Sequence, residues 1–568
     1  MLLMPPRRLL LGLLILFFLQ SGLVGAAVVT APEPLLAGVT DILSQLNRQP
    51  DRRIAGEPIF MPEELQRFYA ARGFEPIWST ADRPGRERIQ SFLRQIASPQ
   101  PYGLCPDNDH SVFFRTLLEH FTLVEDDSSR PQLRWNAWYD VLLTDALFQY
   151  ARHLIEGRVQ PDAVQPGWNI HTQTVDLVAL VTATVQEADF NLLLHDAQPT
   201  HKDYRTLQQA RERYLKIQSF GGWPTIPAGG ILSVGMADAR VARLRARLLL
   251  SGDMAQLPDG DLRLDADDVK ALKRFQRRHG LAADGRLGRE TLAALNVPVA
   301  ERIRQIELNL QRWRWLPPDL GKKYLQVNIA DFSASIVDDG RTVLSMPVVV
   351  GNRYRKTPVF SARMTYIEFA PYWYVPTTIL EQDKLPRIKA DPEYIDRHHY
   401  EIVGWDKQTT IDPQNIDWPT VDGESFPGLL RQKPGPWNPL GRAKFILPND
   451  YAIYLHDTDQ LQLFNHRNRQ FSSGCIRVKQ PEELARYLLV DQGWDAEQVT
   501  AAMAAATPQQ CFLRRPLPVH ILYWTAWVDD TGQVNFRDDV YGRDRDLQRV
   551  LEQGGRDCQS PRPAVARK

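Results

Sequence analysis

The sequence predicts a multidomain α+β protein in which a long helical region and a small helical module precede a mainly β domain. Three observations predict it. The chain has 568 residues, several times the roughly 150 of an ordinary domain. Its residues are 43% hydrophobic and 24% charged, the balance of a chain with cores to bury rather than of a disordered one. The hydrophobic period changes near Tyr324, from three-to-four spacing to the short β-branched runs of strands.

The 68 Lys and Arg residues balance the 68 Asp and Glu, so no global field draws the chain onto nucleic acid or anionic lipid. Four cysteines are too few for a disulfide scaffold, and no pair has the CxxC spacing of a zinc or redox site. Residues 1–27 read as a secretory signal: the basic pair Arg7-Arg8, the apolar run Leu9 to Leu19, then small residues Val24-Gly25-Ala26-Ala27. The apolar stretch is short of the ~20 residues that span a bilayer comfortably. Cleavage near residue 26 or 27 is therefore expected, with an anchor through residues 9–24 as the alternative. Either way the body of the chain is exported, and contact with a membrane requires the uncleaved form.

Residues 28–252 read as a helical scaffold. Leu65, Phe68 and Tyr69, then Val141, Leu142, Asp145, Ala146 and Phe148, then Val241, Leu244, Arg245 and Leu248 recur at helical spacing. Phe74, Trp78, Trp135, Trp138 and Trp168 are expected in the core rather than around a ligand. Residues 253–297 form a compact unit: Asp265 caps a helix with Asp268 in its first turn, Val269, Leu272 and Phe275 share a face, Gly280 ends it, and Gly288 opens the next helix. A helical connector is expected at 298–323. Strands follow over 324–528, including Tyr324–Ile329, Ala334–Val337, Val343–Val350, Tyr451–Leu455 and 518–528. Between about 371 and 440 the pattern breaks into a Pro-, Trp- and Tyr-rich insertion, long enough to be a lid. Residues 529–568 read as a C-terminal hairpin and tail.

The chain contains no HExxH, GxxxxGK[ST], GxSxG or post-strand GxGxxG, and the zinc protease, nucleotide and serine-hydrolase classes fade with them. What remains is Cys475 in the run Phe471-Ser-Ser-Gly-Cys-Ile-Arg-Val478, with His456-Asp457 at the end of a preceding strand. Gly474 lets backbone approach a substrate closely and aim N–H groups at one point. A nearby imidazole can hold the proton of a thiol whose ordinary pKa is near 8.5. Arg477, two residues on, emerges on the same side as Cys475 in an extended segment, able to supply positive charge or grip a carboxylate. Cys105, Cys511 and Cys558 are read as ordinary small hydrophobes, with a Cys511–Cys558 bridge as the lesser alternative. His398-His399 is expected to be solvated.

The order ALKRFQRRHGLAADGRLGRETLAALN resembles the small three-helix peptidoglycan-binding domain. The segment from His456 to Arg477 resembles the active-site motif of L,D-transpeptidases of the YkuD fold: His, a gap, Ser or Thr, His, Gly, Cys, an apolar residue and Asn. Ser472, Gly474, Cys475 and Ile476 match, while Ser473 replaces the second His and Arg477 replaces the Asn. Both departures resemble the large Gram-negative multidomain branch, as do Pro371 to Pro376, Pro434-Gly-Pro436 with Asn438 and Gly441, and Tyr523 to Asp529.

The resemblance implies a periplasmic enzyme with a mainly β catalytic domain and capping insertion, joining peptidoglycan stems through their third residues. It implies Cys475 as nucleophile, His456 as base, and oxyanion donors near Gly474 and Cys475 with Ser473 as helper. Arg477, Tyr454, Trp373 and Ser472 would line the substrate groove. It implies no cofactor and no metal. The partners are peptidoglycan stem peptides and glycan strands, with other cell-wall synthases as further candidates. A hydrolase using the same thioester, and a catalytically idle wall-binding protein, remain the alternatives.

Overall fold

The computed structural model describes residues 33–553 apart from 47, 49–51, 55, 79–88, 94–136, 165–167, 169, 171–174, 188–196 and 259–260. The signal segment, Cys105, Trp135 and Cys558 lie outside the described residues. Helices α1 (Glu33–Leu46), α2 (Pro62–Ala71), α3 (Ala137–Glu156) and α4 (Leu177–Glu187), with the ribbon β1 (Arg53–Ile54) and β2 (Glu57–Pro58), share one core. The helical spacing in the sequence is the packing here: Leu65, Phe68, Val141 and Phe148 are fully buried, and Trp78 joins them. Two carboxylates lie in that apolar stripe because backbone donors need them. Asp145 accepts from the N–H groups of Phe60 and Met61 ahead of α2, and Asp140 from those of Ile77 and Trp78 and from the Tyr69 hydroxyl.

Helix α5 (Lys202–Ser219) leaves this scaffold. Its Tyr204, Leu207, Ala210 and Tyr214 belong to the core of the β domain, where it packs on α9 (Val299–Trp313). The expected connector at 298–323 is thus a structural helix: Ile306 and Leu310 are fully buried, Trp313 stacks on Trp524 at 4.6 Å, and Asn309 exchanges hydrogen bonds with Thr525.

The small module contains α6 (Arg240–Leu250), α7 (Ala266–Arg278) and α8 (Arg289–Leu295) around Val241, Leu244, Leu248, Leu272, Phe275 and Leu295. It therefore begins before residue 253, because Val241, Leu244 and Leu248 of α6 share the core of α7 and α8. The expected cap forms as a reciprocal box between Asp265 and Asp268. Asp268 is fully buried and also pairs with Arg245 at 2.8 Å.

The β domain runs through β3 (Lys323–Asn328), β4 (Ser333–Asp338), β5 (Arg341–Gly351) and β6 (Phe360–Phe369). The chain then leaves for a cap of four short strands, β7 (Trp373–Tyr374), β8 (Tyr400–Val403), β9 (Thr410–Ile411) and β10 (Leu429–Gln432), ordered β7-β10-β8-β9 over a core of its own that includes Ile388, Ile402, Trp418 and Leu430. It returns as β11 (Ala443–Ile446), β12 (Leu455–His456), β13 (Gln470–Ser472) and β14 (Ile476–Val478). Helices α10 (Pro481–Leu489) and α11 (Ala496–Met503) lead into β15 (Gln509–Leu522). The strand order is β13-β5-β14-β12-β11-β6-β15-β3-β4, and β4 also pairs with β5, so the sheet closes on itself.

Three sequence expectations differ here. Tyr451–Leu455 is strand only at its end, because Ala452 turns at φ +53° and the Asn449 side chain takes the N–H groups of Tyr451 and Ile453. The run 518–528 is two strands: β15 stays in the barrel, while β16 (Ala526–Val528) pairs with β17 (Val534–Phe536). The tail is not peripheral, since Phe536, Tyr541 and Leu547 of α12 (Arg543–Gln553) and its approach are buried in the main core.

Asp268→Ala should destabilise the module by about 3–5 kcal/mol, since it strands the buried Arg245 guanidinium and removes half of the capping box. Urea unfolding of the full chain should show this as an earlier transition, monitored by amide exchange in α7. An unshifted transition would count against the ion pair as a structural element.

Candidate active site

Two very short strands build the site. β12 and β14 run parallel with Leu455 opposite Ile476 and His456 opposite Arg477. The Ile476 N–H donates to the Tyr454 carbonyl at 3.1 Å, which carries the register back to Tyr454 beside Cys475. Side chains alternate along a strand, so Leu455 and Ile476 enter the barrel core while Tyr454, His456, Cys475 and Arg477 share the opposite face. The antiparallel neighbours extend the row: Lys444 of β11 lies opposite His456, and Glu368 of β6 lies opposite Lys444.

The cysteine loop is held from below. Gly474 sits at φ +120°, a conformation that L side chains rarely adopt. Its carbonyl accepts from the buried Thr357 hydroxyl at 2.7 Å, and that oxygen accepts from the Gly351 N–H at 2.9 Å. Gly351 passes so close that an added Cβ would lie 3.1 Å from the Gly474 Cα and nearer still to backbone atoms of Arg355 and Thr357. Ser472 is buried: its hydroxyl donates to the Cys475 carbonyl at 2.6 Å and accepts from the Gly474 N–H at 3.1 Å. Ser472 thus shapes the loop instead of facing a groove, and the Gly474 N–H is occupied. Neither the Cys475 N–H nor the Ser473 N–H has a hydrogen-bond partner among the described residues, which leaves both as available donors of the loop. Ser473 is exposed and accepts from Arg355 at 3.1 Å, while the same guanidinium donates to Gln382 of the cap at 2.9 Å.

Cys475 is half-buried, and its Sγ lies 3.8 Å from the Ala452 carbonyl oxygen. Burial pushes the thiol above its ordinary value, opposed by hydrogen bonds from Tyr454 and by the charges of Lys444 and Arg477. His456 is buried, with Nδ1 donating to its neighbour's carbonyl, that of Asp457, at 2.5 Å. Burial, followed by the charge of Arg477, brings its imidazole down to about 3. At rest, then, both groups are neutral. The Cys475 sulfur does not hydrogen-bond to the His456 ring in this structure, and such contacts often tighten only when substrate binds.

Arg477 is fixed by hydrogen bonds from Nη1 to Thr458 and Gln460 at 3.1 and 3.0 Å, and its buried Nε has no partner. Lys444 Nζ stands 4.2 Å from the centre of the Tyr454 ring. Burial lowers its affinity for a proton, while Glu368 and the Cys475 sulfur oppose that shift. Trp373 lies elsewhere: it is on β7 in the cap, beside Tyr400 and under Lys384. In the same cap His399 stacks on Trp437 at 3.6 Å and is not simply solvated. Cys511 is buried and makes no disulfide among the described residues, which do not include Cys558.

Sequence reading missed Lys444, Glu368, Arg355 and Thr357. For Lys444 the signal was present, since Ala443 and Phe445 flank it in an alternating run, but nothing in the sequence says which strand lies beside β12. Among the described residues, no group of His, Cys, Asp or Glu is placed to hold a metal ion.

With this geometry in place, comparison with known proteins is informative. Residues 322–501 match the family described as the L,D-transpeptidase catalytic domain, YkuD. Residues 238–295 match a "Putative peptidoglycan binding domain", and residues 63–210 a scaffold domain. The chain therefore carries a YkuD-type L,D-transpeptidase catalytic domain and a peptidoglycan-binding domain, the first of them that of an enzyme. A curated protein of Haemophilus influenzae named "Putative L,D-transpeptidase" is 35% identical over 272 residues, which are 47% of this chain and 54% of that relative, about half the length of each. Among solved structures, an L,D-transpeptidase from Stackebrandtia nassauensis is similar at 14% identity and a TM-score of 0.21, covering 53% of this chain and 96% of that one. The Ldtfm-avibactam carbamoyl enzyme is similar at 9% identity and a TM-score of 0.18, covering 40% and 64%.

Lys444→Met should make Cys475 harder to ionise, because the substitution removes a cation that favours the thiolate. The midpoint of iodoacetamide alkylation against pH should move upward, and the rate at pH 8 should fall several-fold. An unchanged or lowered midpoint would exclude Lys444 from the electrostatics of the thiol.

Proposed function

We propose that the chain is an exported peptidoglycan L,D-transpeptidase that forms 3-3 crosslinks through a thioester on Cys475. The observation that carries this reading is the shared face of β12 and β14, which gathers a thiol, an imidazole and a guanidinium over a catalytic domain of that class. The Cys475 sulfur attacks the carbonyl of the third residue of a tetrapeptide stem, and D-Ala leaves with a proton. An acceptor amine then attacks the thioester, the new amide forms, and the thiol is restored. His456 holds the thiol proton during the first step and takes one from the amine in the second. The oxyanion formed in each step lies by the Cys475 N–H. Arg477 and Lys444 favour the thiolate and receive stem carboxylates.

Water at ~55 M competes with the amine for the thioester, so transfer depends on excluding solvent and orienting the acceptor, an effect that can reach roughly 7–11 kcal/mol. The cap is the means. Its Gln382 is tied through Arg355 to Ser473, two residues from the nucleophile.

Incubating the protein with disaccharide-tetrapeptides should release D-Ala and yield 3-3 dimers by mass, and Cys475→Ala should abolish both. A carbapenem, a β-lactam class this family accepts, should add one covalent mass to the wild type and none to Cys475→Ala. Full turnover by Cys475→Ala would sink the mechanism. Gln382→Ala, which removes the cap's hydrogen bond to Arg355 beside the cysteine loop, should lower the dimer-to-tripeptide ratio several-fold while D-Ala release falls less. An unchanged ratio in the folded variant would remove the cap from acceptor selection.

A further inference from the structure

A second recessed surface lies beside the cysteine loop. It is a cleft of about 440 Å³ between the loop after β5 and the approach to β13, and it is lined by Asn352, Arg353, Tyr354, His466, Asn468 and Phe471 among others. Its lining is unusual for a surface with no task. Tyr354 is 98% exposed and Phe471 44% exposed, and the His466 and Phe471 rings meet in a T-shaped pair with their centres 5.3 Å apart. Two amides have their oxygens committed locally: Asn352 Oδ1 accepts from the N–H groups of Tyr354 and Arg355 at 2.9 Å, and Asn468 Oδ1 from Gln470 at 3.2 Å. Their NH₂ groups, and the guanidinium of Arg353, have no side-chain partner among the described residues. The cleft thus offers exposed aromatic faces, two amide donors and one unpaired cation.

Its position links the catalytic domain to the peptidoglycan-binding module. Arg467, at the cleft wall, donates to the Gly280 carbonyl and to Glu290 of the peptidoglycan-binding module at 2.9 Å each, and to Asp538 at 2.9 Å. That module is held in place by further bonds: Arg278 donates to the Val534 carbonyl at 3.0 Å, and Arg537 to the Arg278 carbonyl at 2.9 Å. On its other side the cleft runs into the catalytic loop, since Phe471 is four residues before Cys475 and the Asn352 N–H donates to the Ser472 carbonyl at 2.9 Å. Four residues span at most about 14 Å, less than the length of a disaccharide bearing a tetrapeptide.

We propose that this cleft is a glycan subsite: it binds the N-acetylated amino sugars of the strand whose stem peptide reaches Cys475, so that the module and the active site engage one strand. The inference rests on the transpeptidase reading above and adds a site to it. The chemistry fits each part of such a ligand. Pyranose C–H faces stack on the electron-rich faces of Tyr354 and Phe471. Acetamido carbonyls accept from Asn352 and Asn468. Arg353 meets a carboxylate of the stem at the cleft mouth.

The test compares two probes on the full-length protein, N-acetylglucosaminyl-N-acetylmuramyl-tetrapeptide and the free tetrapeptide, by calorimetric binding and by kcat/KM. The wild type should prefer the sugar-bearing probe, and the double variant Tyr354→Ala/Phe471→Ala should lose about tenfold of that preference, the scale of one or two stacking contacts. Both rings are exposed, and Arg353→Gln, whose guanidinium makes no side-chain hydrogen bond or ion pair among the described residues, serves as a second variant expected to lose affinity for both probes alike, because both carry the stem carboxylate; a loss confined to one probe would overturn its assignment. Because the module is identical in all forms, sugar bound there leaves the comparison intact. A preference unchanged in the double variant, or absent in the wild type, overturns the subsite. If neither probe is turned over but the binding preference falls as stated, the transpeptidase reading fails and the subsite stands.

Discussion

The site depends on the parallel pairing of two strands only two and three residues long. Slipping that pairing by one residue would turn Cys475 into the barrel core and present Ile476 in its place. So short a ladder cannot hold its own register, and the surrounding chain holds it. Asp457, the residue after His456, is buried and accepts from the Arg442 N–H at 2.9 Å and from its guanidinium. Gly441 lies so near that an added Cβ would sit within 2.4 Å of the Asp457 carboxyl carbon. The return of the chain from the cap is therefore packed directly against the strand that carries His456. On the other side Thr357 joins Gly351 to Gly474. Cap, cysteine loop and histidine strand are fixed against one another by three close approaches, two of which only glycine permits.

The same packing sets the charge state. Burial favours the neutral form of both Cys475 and His456, raising the thiol and lowering the imidazole, and either ion alone would be costly there. Lys444 and Arg477 remain as fixed cations on that face. They repel an imidazolium and attract a thiolate, so they favour proton loss from sulfur while disfavouring a protonated His456. A neutral resting thiol resists adventitious oxidation and alkylation. In the proposed reaction, an anionic stem entering the site would balance the cations and relieve the penalty on protonating His456, tying ionisation of Cys475 to the presence of that stem.

Much of this was legible in the sequence where the signal is local. Asp265 as a helix cap, the β3–β4 alternation and the buried aromatic spacing of α2 and α3 follow from short-range chemistry, whereas the grouping of His456 with Cys475 was carried by the motif's resemblance to a known family. Pairing was not legible. Lys444 and Glu368 enter the row only because β11 lies next to β12 and β6 next to β11, an order set by closure of the barrel. Ser472 illustrates the opposite error: its place in the motif suggests a substrate contact, yet its hydroxyl is spent on Gly474 and Cys475. Helix α5 was assigned to the scaffold by continuity of period, which reports an amphipathic face but not the partner of that face.

Domain boundaries in this chain are less sharp than its motifs suggest. The matched catalytic segment ends at residue 501, but β15, at 509–522, lies between β6 and β3 and pairs with both. Without it the sheet would have two long unpaired edges in place of a closed ring. α9 and α12 are joined across the same core by the Arg312–Asp544 ion pair at 2.6 Å, buried on the Arg312 side. α9 in turn packs on α5, the last helix before the peptidoglycan-binding module. The module is thus inserted between two helices of one core and bonded to the β16–β17 hairpin of that core. A module on a flexible tether only raises the local concentration of a polymer, whereas one fixed in this way would, in the proposed function, also fix the direction from which a bound strand approaches Cys475.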